Sequence, residues 1–280
     1  MDIYQTLEIV RNTVYATVLF IALVYSCLIL FISRFRHRTN MFILNFCINT
    51  IITAAYFTFY FYGISYDMPQ SMCVLFQYAF NVASVQVPFA FVAFSVHRFC
   101  VIVYHIKPFF KTKNWVAICI ATQWIAQLLI SLPFVFETYE DCTSNTVWMG
   151  CYTFITAVIL PSLINTILNI GILTCVRRST RRTHSQESTG IGNRITHRDI
   201  SLIKQMVFTF TIFIIGWAPA YAINTINVIM YVDFSILMMS VYLSAVCLLA
   251  LIINLFVYNR EIRNCVLYFF QRCFCCVNQS

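Results

Sequence analysis

The residues equipped for chemistry in this sequence are few and fall in a definite order. Arg98 stands between His97 and Phe99, 25 residues after Cys73. Trp217 is followed by Ala218 and Pro219, and the run Asn254-Leu255-Phe256-Val257-Tyr258 comes near the end. An arginine beside an imidazole suits ion pairing and protonation near neutrality, and a proline after a tryptophan suits a bend in a helix. Bond making is not suggested. Among the apolar segments there is no carboxylate pair, no nucleophile with a base and no His-rich metal motif, so neither an enzyme nor a bound cofactor is expected.

The elements that must position these residues are seven apolar stretches at about 13–33, 40–64, 72–104, 114–136, 150–176, 201–230 and 234–258, each near or above the roughly 20 residues that carry a helix across hydrocarbon. Composition agrees, since 60% hydrophobic and 10% charged residues leave too little polar surface for a water-soluble domain. Basic residues cluster in alternate connections: Arg34, Arg36 and Arg38, then Lys107, Lys111 and Lys113, then six arginines from Arg177 to Arg198, then Arg260, Arg263 and Arg272. Those sides are expected to face the cytosol. Only Arg11 then falls outside, together with Asp67, Glu137, Glu140, Asp141 and Asp233. The expected organisation is an external N-terminus over 1–12, an all-α seven-helix membrane domain over 13–258, and an interfacial helix with a cytosolic tail over 259–280. The first apolar run follows acidic residues and lacks a small-residue cleavage site, so it reads as a retained helix. The net charge of +8 sits beside the spans, where it anchors against anionic lipid and does not point to nucleic acid.

In a helix, Cys73 and Arg98 stand roughly 37 Å apart, one at each membrane face. Alone, Arg98 reads as an anchor reaching the interface. With His97-Arg98-Phe99, Trp124 and Pro133 in the fourth span, Pro161 in the fifth, Trp217-Ala218-Pro219 in the sixth and Asn254 to Tyr258 in the seventh, the chain resembles a rhodopsin-like G-protein-coupled receptor over residues 13–272. In that family the corresponding motifs are acid-Arg-Tyr, Cys-Trp-x-Pro and Asn-Pro-x-x-Tyr. Arg98, Trp217, Pro219, Asn254 and Tyr258 match. His97, Phe99, Gly216 and Leu255 depart, Thr50 replaces the second-span acid, and the first-span Asn is missing.

The resemblance implies a receptor of the plasma membrane that carries an extracellular signal to heterotrimeric G proteins, with arrestin and kinases as further partners. Trp217 and Phe213 would repack as the cytosolic half of the sixth helix moves outward about Pro219. Family members hold the arginine with acids. Here one is replaced by His97, while Asp199, 20 residues before Pro219 and thus about 30 Å along the helix, reaches the level of Arg98. An Arg98–Asp199 lock is expected, against a plain acidic helix start. Thr50 and Asn49 offer oxygens but no carboxylate for sodium, and losing proline at Leu255 removes a kink. These departures also fit a receptor-like protein that has lost coupling.

Of 13 cysteines, only Cys73, Cys142 and Cys151 can be external. By resemblance Cys73 bridges to the second external loop, with Cys142 better placed than Cys151. The segment 259–272 suits a short helix lying on the membrane, and Cys273, Cys275 and Cys276 directly after it are palmitoylation candidates. Residues 177–197 read as a polar connector, with Ser179, Thr180, Thr183, Ser185 and Ser188 among arginines offering basophilic kinase sites.

The resemblance places Phe80 where amine receptors carry Asp and Leu248 where opsins carry Lys, so neither class is supported. By alignment the ligand cavity is lined by Gln77, Phe80, Asn81, Ser84, Trp217, Tyr221, Asn224, Ser240 and Ser244, a set without formal charge that suits a neutral small molecule or part of a peptide. A basic peptide would be steered by the external acids. A neuropeptide receptor and an odorant receptor of the same fold both fit. A transporter or channel would favour inverted repeats, broken helices or several intramembrane charges, and none is seen.

Overall fold

The computed structural model describes residues 3–32, 38–63, 70–104, 107–136, 146–185, 197–259 and 263–264. Among them, seven segments are long and apolar enough to cross a membrane. Helices run over Ile3–Phe31, Arg38–Gly63, Gln70–Val103 and Lys113–Ser131. The fifth span is composite, with helix Val147–Phe154, a π turn Ile155–Ile159 and helix Leu160–Ser185. The sixth runs over His197–Ile229 and the seventh over Phe234–Tyr258.

Local chemistry fixes several ends. Thr112 caps the fourth helix by accepting from the Trp115 N–H at 3.2 Å, and Asp233 caps the seventh by accepting from the Ser235 N–H at 2.7 Å, which leaves fewer orphan donors at each start. Pro133 falls in a 3-10 turn, Leu132–Val135, that finishes the fourth span. Pro219 lies inside the sixth helix and Pro88 inside the third. The seventh helix contains no proline and is unbroken to Tyr258, in line with the loss of the kink at Leu255.

Two boundaries differ from expectation. The first helix starts at Ile3, so the segment over 1–12 read as an external terminus is largely helical and carries Glu8 and Arg11 on its outer turns. The second helix of the fifth span continues to Ser185, so the residues from Arg177 to Ser185 are helical and not a loose connector. In both places an already nucleated helix propagates at one hydrogen bond per residue, and it needs no apolar face to continue.

The third span packs against the second, fourth and fifth, the sixth packs against the seventh, and the first closes the bundle against the second and seventh. Apolar side chains lie on both its inside and its outside. Tyr15, Leu248 and Leu251 are fully buried, whereas Phe20, Ile167 and Ile229 are 67, 69 and 63% exposed. A surface that apolar is matched by hydrocarbon and not by water. Polar groups are inside instead, with Asn49, Thr50, Asn81, Gln127 and Ser131 all at 0% exposure. Hydroxyls of Thr13, Thr17, Ser26 and Thr58 donate to the carbonyl four residues earlier at 2.7–2.8 Å, which satisfies them within their own helix where lipid offers no partner.

Candidate functional site

A cavity of about 420 Å³ lies between the first, second, third, sixth and seventh spans, in the half of the bundle that contains Cys73. Phe80, Trp217, Tyr221, Asn224 and Ser244 line it, five of the nine residues expected there. The other four are engaged elsewhere or lie outside its wall. Asn81 donates to Thr153 at 3.0 Å and accepts from Ser131 at 3.0 Å, tying the third span to the fourth and fifth. Ser84 donates to the Phe80 carbonyl and Ser240 to the Leu237 carbonyl, each at 2.7 Å. Gln77 is buried, 1% exposed. The cavity is thus displaced toward the first and seventh spans, where Glu8, Arg11, Tyr15, Phe57 and Tyr60 join its wall.

Arg11 changes the electrostatics expected of the site. It is 3% exposed and lines the cavity, so the wall does carry formal charge. Its Nη2 donates to Glu8 at 3.5 Å and to Asn12 at 3.3 Å. The signal was in the sequence, because Arg11 is the lone basic residue on the acidic side. Asp233, at the start of the seventh span, is fully exposed. Bonds from the Ser235 backbone N–H and hydroxyl hold its carboxyl below the usual carboxylate range, so it is ionised at neutral pH.

From the cavity an aromatic ladder descends the sixth helix. Tyr221, Trp217, Phe213 and Phe210 stack in turn, with ring centroids 5.7, 6.0 and 6.4 Å apart. Their spacing of three to four residues puts them on one helix face. Phe57 meets Trp217 at 5.2 Å and Phe91 meets Phe213 at 6.2 Å, so the second and third spans hold the ladder from the side. Trp217 is 3% exposed, and its Nε1 has no hydrogen-bond partner. Beside it, Gly216 lets the seventh helix approach so closely that a Cβ there would meet the Cys247 Cβ at 2.3 Å.

Below the ladder, Asn254 Nδ2 donates to Thr209 Oγ1 at 2.8 Å, joining the seventh span to the sixth. Thr50 is fully buried and its hydroxyl has no partner. Neighbouring Asn49 turns away to the fourth span, where its Oδ1 accepts from Gln123 Nε2 at 3.2 Å. The second span therefore brings no carboxylate to the bundle centre. Tyr258 is 48% exposed and does not pack into the core.

At the opposite end from Cys73, the Arg98 guanidinium carbon lies 5.2 Å from the Phe94 ring centroid, a cation–π contact along its own helix. His97 is buried, with its ring 4.7 Å from Phe42, so it packs between the second and third spans. Phe99 turns to the fifth span, where a Cβ on Gly171 would come within 2.8 Å of its ring. Asp199 lies in the first turn of the sixth helix, and its side chain lies outside the described residues. Cys73 is disulfide-bonded and Cys151 is free, which removes Cys151 as the partner. Cys142, Glu137, Glu140 and Asp141 lie outside the described residues, as do Ser188 and Cys273, Cys275 and Cys276.

Seven apolar spans, a cavity among five of them, and an aromatic ladder ending at an Asn–Thr contact define a membrane receptor bundle. The family described as 7 transmembrane receptor (rhodopsin family) matches residues 22–258. The chain belongs to that family and is a multi-pass membrane protein. No curated protein matches it.

Proposed function

We propose that this protein is a G-protein-coupled receptor of the plasma membrane with its N-terminus outside. A small extracellular ligand binds the cavity above Trp217 and shifts the sixth helix about Pro219, opening the Arg98 end to a heterotrimeric G protein. The observation that carries this reading is the path leading from the cavity toward the Arg98 end: Tyr221, Trp217, Phe213 and Phe210 in one stack, and Thr209 bonded to Asn254 on the next helix. A ligand pressing on Trp217 has a rigid column to push, and the column ends at a contact that must break. The concentration of basic residues in one set of connections supports the orientation. Cys73 is assigned to a bridge with Cys142, the sole external candidate left once Cys151 is free. Cys273, Cys275 and Cys276 are assigned to lipid attachment beside the turn in which the Arg263 N–H donates to the Asn259 carbonyl.

Two contacts then restrain the resting state. Thr209→Val removes the acceptor for Asn254 while keeping shape, and a hydrogen bond worth about 1 kcal/mol corresponds to a roughly fivefold rise in the active population. Basal G-protein activation at matched surface expression measures it. Unchanged basal activity in a variant that still expresses at the surface would remove Thr209 from the mechanism. Asp199→Asn is expected to raise the same signal if Asp199 restrains Arg98, and an unaltered basal level would show that it does not.

A further inference from the structure

Most polar groups in the cavity wall are already engaged within the chain. Arg11 donates to Glu8 and to Asn12, the Ser244 hydroxyl donates to the Val241 carbonyl at 2.7 Å, and the Tyr221 hydroxyl donates to the Ser84 carbonyl at 3.5 Å. The Tyr15 hydroxyl and the Trp217 Nε1–H lie beneath the wall surface, out of a ligand's reach. Asn224 differs from these. It lines the cavity and is only partly buried, and its side-chain amide bonds to no described residue.

An unpaired primary amide is a selective reader. Its oxygen accepts and its nitrogen donates in one plane, so it matches a ligand that offers an N–H beside a C=O, and the two close a pair of hydrogen bonds. An ion fits less well. Glu8 and Arg11 already pair in the wall, so a charged ligand would shed its hydration with no counter-charge to replace it. Asn224 stands seven residues after Trp217, two turns along one helix face and about 10 Å up the axis. The space below it is apolar: Phe57, Phe80 and Trp217 give aromatic faces, and Leu237, Met238 and Val241 give an aliphatic side. A volume of about 420 Å³ falls within the roughly 300–1,000 Å³ of small-molecule sites.

We propose that the ligand is a neutral aromatic lactam or carboxamide, its adjacent N–H and C=O paired with the Asn224 amide and its rings seated toward Trp217. This rests on the cavity being the receptor's ligand site, but binding can be read without any G protein, so failure of the ligand class and failure of coupling are separable. The test is thermal unfolding of the purified full chain in detergent, titrated to millimolar concentration with three probes. These are quinolin-2(1H)-one, its N-methyl derivative, which lacks the donor, and 2-naphthoate, which is charged. The lactam is expected to raise the unfolding temperature saturably and 2-naphthoate not. The N-methyl compound should bind roughly tenfold more weakly, the loss of one hydrogen bond inside a closed site. Asn224→Leu should erase the preference for the N–H compound and still fold, because Asn224 bonds to nothing else described in the chain. Asn224→Asp, close in shape but offering acceptors only, should also weaken the lactam. If Asn224→Leu does not yield folded protein, the contrast between the two lactams in the wild type and the Asn224→Asp response decide the matter. Equal binding of the two lactams, no lactam binding at millimolar concentration, or an unchanged preference in folded Asn224→Leu would each overturn the proposal. Binding of 2-naphthoate that Ala220→Phe abolishes by filling the cavity would overturn it as well, while leaving the cavity as a ligand site.

Discussion

Gly216→Ala is expected to cost about 1–3 kcal/mol of stability, the range for forcing extra volume into a packed interface. The new Cβ would fall 2.3 Å from the Cys247 Cβ and 2.6 Å from its Sγ, against the roughly 3.5–4.0 Å that carbon atoms keep at contact. Neither Cβ can rotate away, so the sixth and seventh helices must separate by more than an ångström. That separation acts on both the cavity and the Thr209–Asn254 contact, because these two helices form part of the cavity wall and carry that contact. Lowered thermal stability in detergent together with raised basal signalling is the expected pair of results. Cys247→Gly in the same background removes the opposing Cβ and should restore stability, a coupling that a double-mutant cycle measures. Full stability in Gly216→Ala alone would mean that the helices are not in the contact described.

Asn45→Leu is expected to be the most damaging single polar deletion, at about 2–4 kcal/mol, because it strands several buried groups at once. Asn45 Nδ2 donates to Gln123 Oε1 at 2.6 Å, and its Oδ1 accepts from Trp124 Nε1 at 3.0 Å and Asn49 Nδ2 at 3.3 Å. Gln123 Oε1 and Trp124 Nε1 would then lose these partners inside the bundle, with no bulk water to replace the lost bonds, while Asn49 Nδ2 keeps the Asn45 carbonyl at 2.7 Å. Trp124→Phe removes one bond and keeps the ring, so its cost should stay near the average of about 0.6 kcal/mol found for interhelical hydrogen bonds in membranes. Equal stability losses for the two variants would show that Asn45 is not the centre of the network.

How far the sequence reveals this structure depends on which physical signal each feature carries. The seven spans are legible because twenty apolar residues in a row have few other uses, and their count matches the bundle. Helix ends are less legible. Ile3 and Ser185 lie well beyond the apolar runs, and hydropathy is silent about polar residues that merely prolong a helix. Arg98, Trp217 and Asn254 stand out as motif residues, but their partners do not, since nothing in the spacing shows that Asn254 would bond to Thr209 instead of to the second span. The cavity wall is half legible. Phe80, Trp217, Tyr221, Asn224 and Ser244 follow from the resemblance, whereas Asn81 is taken up by Ser131 and Thr153 because a buried amide among helices satisfies itself where it can. The polar stripe Gln123, Gln127 and Ser131, at intervals of four residues, is legible as one helix face. Arg11 was visible as an anomaly of charge, and only the packing of the first helix shows that it faces inward.

Transmission to a G protein through Arg98 is the step we propose for this bundle. Its most direct measurement is ligand-free activation of each main G-protein class by the wild type and by Arg98→Ala at matched surface expression. A basal signal in one class that falls to background in Arg98→Ala, and that Thr209→Val raises, is the expected result. A basal signal that Arg98→Ala leaves intact, or no signal in any class from the wild type and from Thr209→Val alike, would contradict it.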